Sequence, residues 1–186
     1  KEIYGSTINF KYGDAHNINS QDHSFDLVVA LAMIYYLEID KFLVEVNRIL
    51  SEDGTLFLCM SNKDVPGFVP GPHTTQYLSI PQIYDILKNA GFECTILGGF
   101  PRKGAMWYIR LQALMKGILK SFFLSFKRGK FWWSMVRSKS RGQLKPLPKS
   151  FLHMEATTEK PIALSPSKAN HRYRVIYVIA TKKNDH

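Results

Sequence analysis

The chain has 186 residues, of which 45% are hydrophobic, 13% aromatic and 22% charged, a composition that excludes disordered, collagen-like and low-complexity proteins. Its 2 cysteines, Cys59 and Cys94, lack CxxC or Cys/His spacing, so neither a disulfide scaffold nor a metal site is predicted. The net charge of +10 is local, because 13 of the 25 Lys and Arg lie between Arg102 and Lys149, where there is no Asp or Glu. Elsewhere 12 basic residues stand against 15 acidic ones.

Short apolar runs separated by turn residues predict an open α/β sheet. The run over 24–31 is continuous and rich in β-branched residues, which is typical of a strand buried on both faces of a parallel sheet. The last predicted strand has the flanking charges of an exposed sheet edge. Apart from 24–31, the predicted strands span 8–12, 55–60, 93–97 and 173–180. Ligands of such sheets bind beyond the carboxyl ends of the strands, so function is expected in the loops there.

Two helices are predicted between these strands. Apolar residues at three- and four-residue spacing from Asp40 indicate the first helix and place Glu45 and Arg48 on its outward face. Ser79 is the expected N-cap of the second helix, and Gly91 is the expected end.

Three strings carry a family resemblance: Gly-Asp-Ala at 13–15, Phe-Asp-Leu-Val at 25–28, and Glu-Val-Asn-Arg-Ile-Leu-Ser-Glu-Asp-Gly-Thr at 45–55. In order and spacing they resemble the G-D-A, F-D-x-V and E-x-x-R-x-L-x-x-G-G patterns of class I S-adenosylmethionine-dependent methyltransferases, and especially those of the type 11 kind. Thr55 replaces the second Gly of the last pattern. The resemblance implies a Rossmann-like sheet, of which this chain would hold strands three to seven, and S-adenosylmethionine as the cofactor.

The family's glycine-rich first turn and its ribose-binding acid have no counterpart before residue 8. The chain is therefore expected to be the carboxyl-terminal part of a methyltransferase, inactive as it stands and with weak cofactor binding. Strand three would lack a neighbour, because the missing strands lie beside it in the family's sheet. The expected divisions are a core over 1–100, a basic amphipathic insertion over 101–170, and a last strand with its tail over 171–186.

The resemblance also implies which residues bind the cofactor. Asp14 and Ala15 match the position that meets the adenine, where a carboxylate accepts from the exocyclic amine. The alternative for Asp14 is that it only closes a turn. Leu31 and Ala32 follow the strand beside which the family's chain passes the methionine part of the cofactor; core packing is their alternative.

Tyr36 and His73 are the candidate catalytic residues. Tyr36 stands where relatives that methylate hydroxyl groups carry a His that serves as a base. A phenol is a poor base at neutral pH, so shaping the acceptor pocket is its alternative role. Histidine titrates in a useful range, but a His on a proline-rich loop such as 64–77 is often only solvated. Positioning alone supplies much of the rate of such transfers, so a base is not obligatory.

The acceptor is expected to be a hydroxyl of a small molecule or a glycan, because family members with similar long insertions modify sugars. The sequence Ala-Leu-Ala-Met at 30–33 differs from the motif that methylates nucleobase amines, which makes nucleic acid a less favoured partner. The other hypothesis is a non-catalytic remnant that binds a membrane or an RNA through the basic segment, by which we mean residues 102–149. Without a signal peptide or an apolar membrane span, the protein is expected to be cytoplasmic, with peripheral membrane contact as an option.

The basic segment has helical periodicity over 106–126. Lysines 116, 120 and 127 cluster on one side, and the opposite apolar face would be formed by Leu111, Met115, Ile118, Phe122 and Phe126. A basic amphipathic helix of this kind suits an anionic membrane surface within 102–149. The alternative is a lid whose apolar face packs over the acceptor pocket.

Overall fold

The computed structural model describes residues 9–71, 73–102 and 160–183, together with five helical positions at 107, 111, 114, 115 and 118. A short 3-10 helix over Ile34–Tyr36 follows the first strand. The helices are α1 (Ile39–Ile49) and α2 (Ile80–Asn89), and the strands are β1 (Phe25–Leu31), β2 (Leu50–Ser61), β3 (Phe92–Pro101), β4 (Ile162–Ala163) and β5 (Tyr173–Lys182). The rest of the predicted helix over 106–126, including Phe122 and Phe126, lies outside the described residues.

The strands form one sheet in the order β1-β2-β5-β3-β4. β1 and β2 are parallel, and β5 runs antiparallel to both β2 and β3, so β1, β2 and β3 all end at one edge. We call this edge, where Leu31, Ser61 and Pro101 end their strands, the carboxyl edge. β4 pairs antiparallel with β3, with Gly98 opposite Ile162.

The last strand is central, which corrects the prediction that it forms an exposed sheet edge. β5 lies between β2 and β3. Its alternate residues Ile176, Val178 and Ala180 are fully buried in the core that the helices cover. The charges that flank it lie beyond the buried part and do not determine its position.

The core lies on one face of the sheet. Leu56 and Leu58 of β2 pack there with the apolar sides of α1 and α2. On the opposite face of β1, Leu27, Val29 and Leu31 are exposed, so the prediction that 24–31 is buried on both faces is wrong. β1 is the terminal strand of the described sheet, and no described helix covers its second face.

The prediction of a strand over 8–12 is also wrong for the residues that the structure describes. Residues 9–13 are irregular and exposed. A strand needs a ladder partner, and no described strand lies beside this segment.

The helix boundaries follow the predicted signals. Gln82 Oε1 accepts the backbone N–H of Ser79 at 2.9 Å, which is one half of a capping box at the start of α2. Gly91 ends the helix with a φ of 82°, a conformation that a residue with a side chain rarely adopts.

Glu45 is buried rather than outward, because it binds Arg48. Glu45 is 9% exposed, and its Oε1 accepts from Arg48 Nη2 at 2.6 Å and from the N–H of Ile18 at 2.6 Å. Arg48 also donates to the backbone carbonyls of Ile18 and Ser20, at 2.8 and 2.9 Å, and forms an ion pair with Asp22. The pair therefore fastens the loop that precedes β1 to helix α1. The hydrogen bond from Arg48 lowers the pKa of Glu45 below its ordinary value.

Candidate functional site

The loops that follow β1 and β2 are bonded to each other at the carboxyl edge. The backbone N–H and the hydroxyl of Thr75 both donate to the carbonyl of Tyr35, each at 2.8 Å. Gln76 donates from its side-chain amide to the carbonyl of Leu37 at 3.1 Å. The ring of Tyr35 stacks on Tyr77, with the ring centroids 4.5 Å apart. These contacts fix the geometry of the two loops at which ligand binding was expected.

Tyr35 is the buried anchor of this arrangement, and the sequence did not single it out. Its hydroxyl accepts the backbone N–H of Ser61 at 2.5 Å and lies 3.2 Å from the Ser61 hydroxyl, so it can donate there. Ser61 ends β2. The pair of consecutive tyrosines after β1 was visible in the sequence, but only the fold shows that the first is structural and the second faces solvent.

We expect Tyr35→Phe to lower the free energy of unfolding by about 1–3 kcal/mol, since the N–H of Ser61 would lose its partner. Urea denaturation measures the change. Tyr36→Phe is the matched control, because Tyr36 is 53% exposed and the same change there should stay within about 0.5 kcal/mol. Equal losses in the two variants would contradict the anchoring role of Tyr35.

A cavity of about 480 Å³ opens at the carboxyl edge, within the size range of small-molecule sites. It lies between the turn at 14–17, the loop after β1, the start of α1 and the loop after β2. Aromatic, acidic, hydroxyl and amide groups are all present in its wall. The lining residues are His16, Tyr36, Leu37, Glu38, Ile39, Asp40, Thr75 and Gln76.

Asp14 and His16 form a hydrogen-bonded pair beside this cavity. Asp14 Oδ1 accepts the backbone N–H of His16 at 2.9 Å and lies 2.8 Å from its ring Nδ1. The N–H of Glu38 donates to His16 Nε2 at 3.0 Å. Because Nε2 accepts a hydrogen bond, the ring proton is on Nδ1 and is donated to Asp14. Both ring nitrogens of His16 are therefore engaged.

The same pair keeps Asp14 charged. The backbone N–H of His16, and then its ring, lower the pKa of Asp14 below its ordinary value. Both bonds end on Oδ1, so Oδ2 is the oxygen available to a ligand donor in the described part of the chain. The carbonyl of Asp14 also accepts the N–H of Asn17 at 3.1 Å, so Asp14 closes the turn as well. The signal that could have found His16 is its two-residue spacing from Asp14.

Of the two candidate catalytic residues, the structure places only Tyr36 in the cavity wall. His73 is exposed, with a φ of 61°, and is not one of the lining residues. It lies in a tight segment, because Thr74 donates to the carbonyl of Gly71 at 2.8 Å and the N–H of Gly71 donates to the Tyr77 hydroxyl at 3.0 Å. The catalytic roles of Tyr36 and His73 stay predictions.

The candidate cofactor residues lie near the same edge. Ala15 is half-buried against the core, and Leu31 is exposed at the end of β1. Ala32 has a φ of 53°, a left-handed conformation that costs an L-residue about 1 kcal/mol. Its backbone N–H donates to the carbonyl of Cys59 at 2.8 Å. Backbone strain of this kind concentrates at functional sites.

The described residues contain no group of three His, Cys, Asp or Glu that could hold a metal ion.

Comparisons with known proteins agree with the family that the sequence suggested. Residues 1–58 match the family described as a methyltransferase domain. A S-adenosylmethionine-dependent methyltransferase from Archaeoglobus fulgidus aligns with a TM-score of 0.55 at 10% identity, over 97% of this chain and 71% of that one. A possible histamine N-methyltransferase from Thermotoga maritima aligns with a TM-score of 0.54 at 13% identity, over 92% of this chain.

The chain spans 62% of the length of the Thermotoga protein. No curated protein matches it. The match over residues 1–58 agrees with the predicted resemblance to methyltransferases, and the likeness of the described sheet to these two structures confirms the predicted α/β, Rossmann-like fold class. Residues 1–58 thus match a methyltransferase-domain family, and the fold of the described residues is similar to that of S-adenosylmethionine-dependent methyltransferases of known structure.

Proposed function

We propose that the protein transfers a methyl group from S-adenosylmethionine to a hydroxyl of a small molecule or glycan, and that the cavity at the carboxyl edge receives the acceptor. The observation that carries this proposal is the position of the cavity. Its wall joins the turn of Asp14, the loop after β1 and the loop after β2, which are the three places where the family's fold binds its ligands.

The residues present fit the adenosine end of the cofactor. Asp14 is charged and exposed, and Oδ2 can accept from an exocyclic amine, while Ala15 beside it is half-buried against the core. Leu31 and the strained backbone of Ala32 would lie along the methionine end. When bound, S-adenosylmethionine supplies an electrophilic methyl group on a sulfonium.

The cavity wall can orient a polyhydroxylated acceptor. The carboxylates of Glu38 and Asp40 and the amide of Gln76 accept or donate hydrogen bonds to hydroxyls, and the ring of Tyr36 provides an apolar side. Holding the acceptor in line with the donor supplies much of the barrier reduction in such transfers. His16 is unsuited to act as the base despite its place in the wall, because both of its ring nitrogens are already bonded.

The cofactor role of Asp14 predicts a loss of affinity on Asp14→Ala. A ligand amine that loses its carboxylate partner should bind about 5-fold more weakly or worse. Titration of the ¹⁵N-labelled protein with S-adenosylmethionine measures both weak and strong binding, and should shift the amide signals of Ala15 and Ala32. Asp85→Asn, on the exposed side of α2, is the control. An unchanged affinity in Asp14→Ala would leave Asp14 as a turn residue alone.

The acceptor class is tested separately by binding rather than by turnover, through titration of the ¹⁵N-labelled protein with sugars and small alcohols compared with small amines. Binding of hydroxyl compounds that Tyr36→Ala and Gln76→Ala both weaken would support the acceptor role of the cavity. Binding of amines alone would contradict the hydroxyl acceptor, since Glu38 and Asp40 could then serve as partners of an ammonium group.

A further inference from the structure

The five described helical positions after β3 form an exposed apolar stripe. At 100° per residue, Trp107, Leu111, Leu114, Met115 and Ile118 fall within an arc of about 100°, so they share one side of the helix. Between 47% and 69% of each of these side chains is exposed. A helix side of this composition is normally covered by a core.

The exposure of these side chains helps to decide between the two roles that the sequence left open, a helix at a membrane surface and a lid over the acceptor pocket. A lid would press its apolar side against the sheet or over the cavity. The five side chains are instead largely exposed, and none of them is among the residues that line the cavity. The stripe therefore has the properties of an outward surface rather than of a closed lid.

The charge of the surrounding sequence points to the chemistry of the partner. The stretch 102–149 has 13 Lys and Arg and no Asp or Glu, so it attracts an anionic surface. RNA would satisfy these charges, but phosphates and bases gain little from a row of Leu, Met and Ile side chains. An anionic lipid bilayer satisfies both features, because its headgroups meet the cations and its acyl boundary receives the aliphatic side chains.

The chain leaves the sheet towards the stripe at the carboxyl edge, where the cavity also opens. The chain leaves β3 at Arg102, whose N–H donates to the carbonyl of Arg172 at 2.9 Å. The guanidinium of Arg102 donates to the carbonyl of Pro66, in the loop that follows β2. Five residues further on, Trp107 begins the stripe, and tryptophan is a side chain typical of the membrane–water interface.

We propose that the apolar stripe binds the surface of an anionic lipid bilayer, to which the cationic sequence of 102–149 is attracted. The helices of the described parts of the chain are too short or too polar to cross a bilayer. The proposal does not depend on the methyl acceptor, and binding can be measured without cofactor or acceptor.

Co-sedimentation of the full chain with vesicles tests this proposal. We expect binding to vesicles of phosphatidylcholine with phosphatidylserine, little binding to phosphatidylcholine alone, and release as added salt shortens the Debye length below about 10 Å. Binding to both vesicle types to the same extent would overturn the electrostatic part of the proposal. No binding to either vesicle type would overturn the proposal entirely.

The stripe is tested by the combined variant Leu111→Ser, Leu114→Ser and Ile118→Ser, which should lower the partition coefficient at least about a hundredfold. The matched control is Leu27→Ser, Val44→Ser and Ile162→Ser, three exposed apolar positions outside the stripe, for which we expect unchanged binding. All six positions are exposed, so circular dichroism should show folded protein in both variants. Equal effects of the two variants would contradict a role for the stripe.

The charges are tested by Lys116→Glu, Lys120→Glu and Lys127→Glu, expected to lower binding at least about a hundredfold. Lys11→Glu, Lys88→Glu and Lys168→Glu change the net charge equally at exposed positions outside the segment and should have a much smaller effect. RNA is the remaining comparison. An RNA oligonucleotide that binds more tightly than the vesicles, and whose binding survives the stripe variant, would replace the membrane by a nucleic acid.

Discussion

Replacing Arg48 by methionine is expected to lower the free energy of unfolding by clearly more than the loss of an ordinary surface ion pair does. The variant would leave the Glu45 carboxylate buried without its cation and would remove the donors that hold the carbonyls of Ile18 and Ser20. Methionine keeps an apolar stem of similar length, so the loss reports on the guanidinium rather than on packing. Chemical denaturation at neutral pH measures it.

Two further variants separate the contribution of the guanidinium geometry from that of the unpaired Glu45 charge. Arg48→Lys should recover less than half of the loss, because an ammonium cannot bond Glu45 through two nitrogens and reach two carbonyls at once. The double variant Arg48→Met with Glu45→Gln should be more stable than Arg48→Met alone, since it removes the stranded charge. A loss below about 0.5 kcal/mol in Arg48→Met would mean that the pair behaves as an ordinary surface ion pair.

The low pKa of Glu45 gives the same contact a pH dependence. Arg48 binds the ionised carboxylate in the folded state, so this contribution to stability is present above the ordinary Glu value of 4.5. It is lost as the pH falls below that value towards the folded pKa. In Glu45→Gln this part of the acid destabilisation should be absent, and a denaturation series between neutral and acidic pH would detect the difference.

Asn62→Asp should be among the most damaging isosteric substitutions in the chain, with an expected loss of about 3 kcal/mol at neutral pH. Asn62 is 2% exposed and follows β2 at the carboxyl edge. Its side-chain amide donates to the carbonyls of Asn170 and Tyr173, at 2.5 and 2.8 Å. A carboxylate would have no proton to donate and would face two carbonyl oxygens.

Thermal or chemical denaturation should show that the penalty of Asn62→Asp shrinks as the pH falls, because burial favours the neutral acid, which regains one donor. The control is Asn89→Asp at the exposed end of α2, where a small and nearly pH-independent effect is expected. A pH-independent loss at Asn62 would show that shape, rather than charge and hydrogen bonding, determines its cost.

The helices and the central strands could be predicted from the sequence because their signals are local. The Ser79 cap and the Gly91 stop act within one helical turn of their own chain. The position of β5 could not be predicted in the same way. It depends on pairing with β2 across more than a hundred residues, and the charges at its ends say nothing about that partner. The exposure of β1 likewise depends on which elements cover it.

The sequence predicted those residues of the candidate site that belong to, or are placed by, the family's sequence motifs. Asp14 and Tyr36 were found because the family pattern fixes their positions relative to β1. Tyr35 and His16 were missed, since the role of each comes from contacts with distant residues: Tyr35 bonds Ser61 and His16 bonds Glu38. Glu45 was predicted to face outward because helical periodicity is judged from the apolar residues. That pattern cannot show that a carboxylate is buried when it binds Arg48 one turn later.

The pairing of β4 with β3 brings together the two ends of the segment between them. The chain leaves the sheet at Arg102 and returns just before Ile162, which lies opposite Gly98 on the same strand. Closing a longer or shorter loop between such neighbouring points changes the entropy slowly, by about 0.6 kcal/mol for each doubling of length. The joint is thus a permissive site for insertion, where evolution or an engineer can exchange the whole segment without rebuilding the sheet.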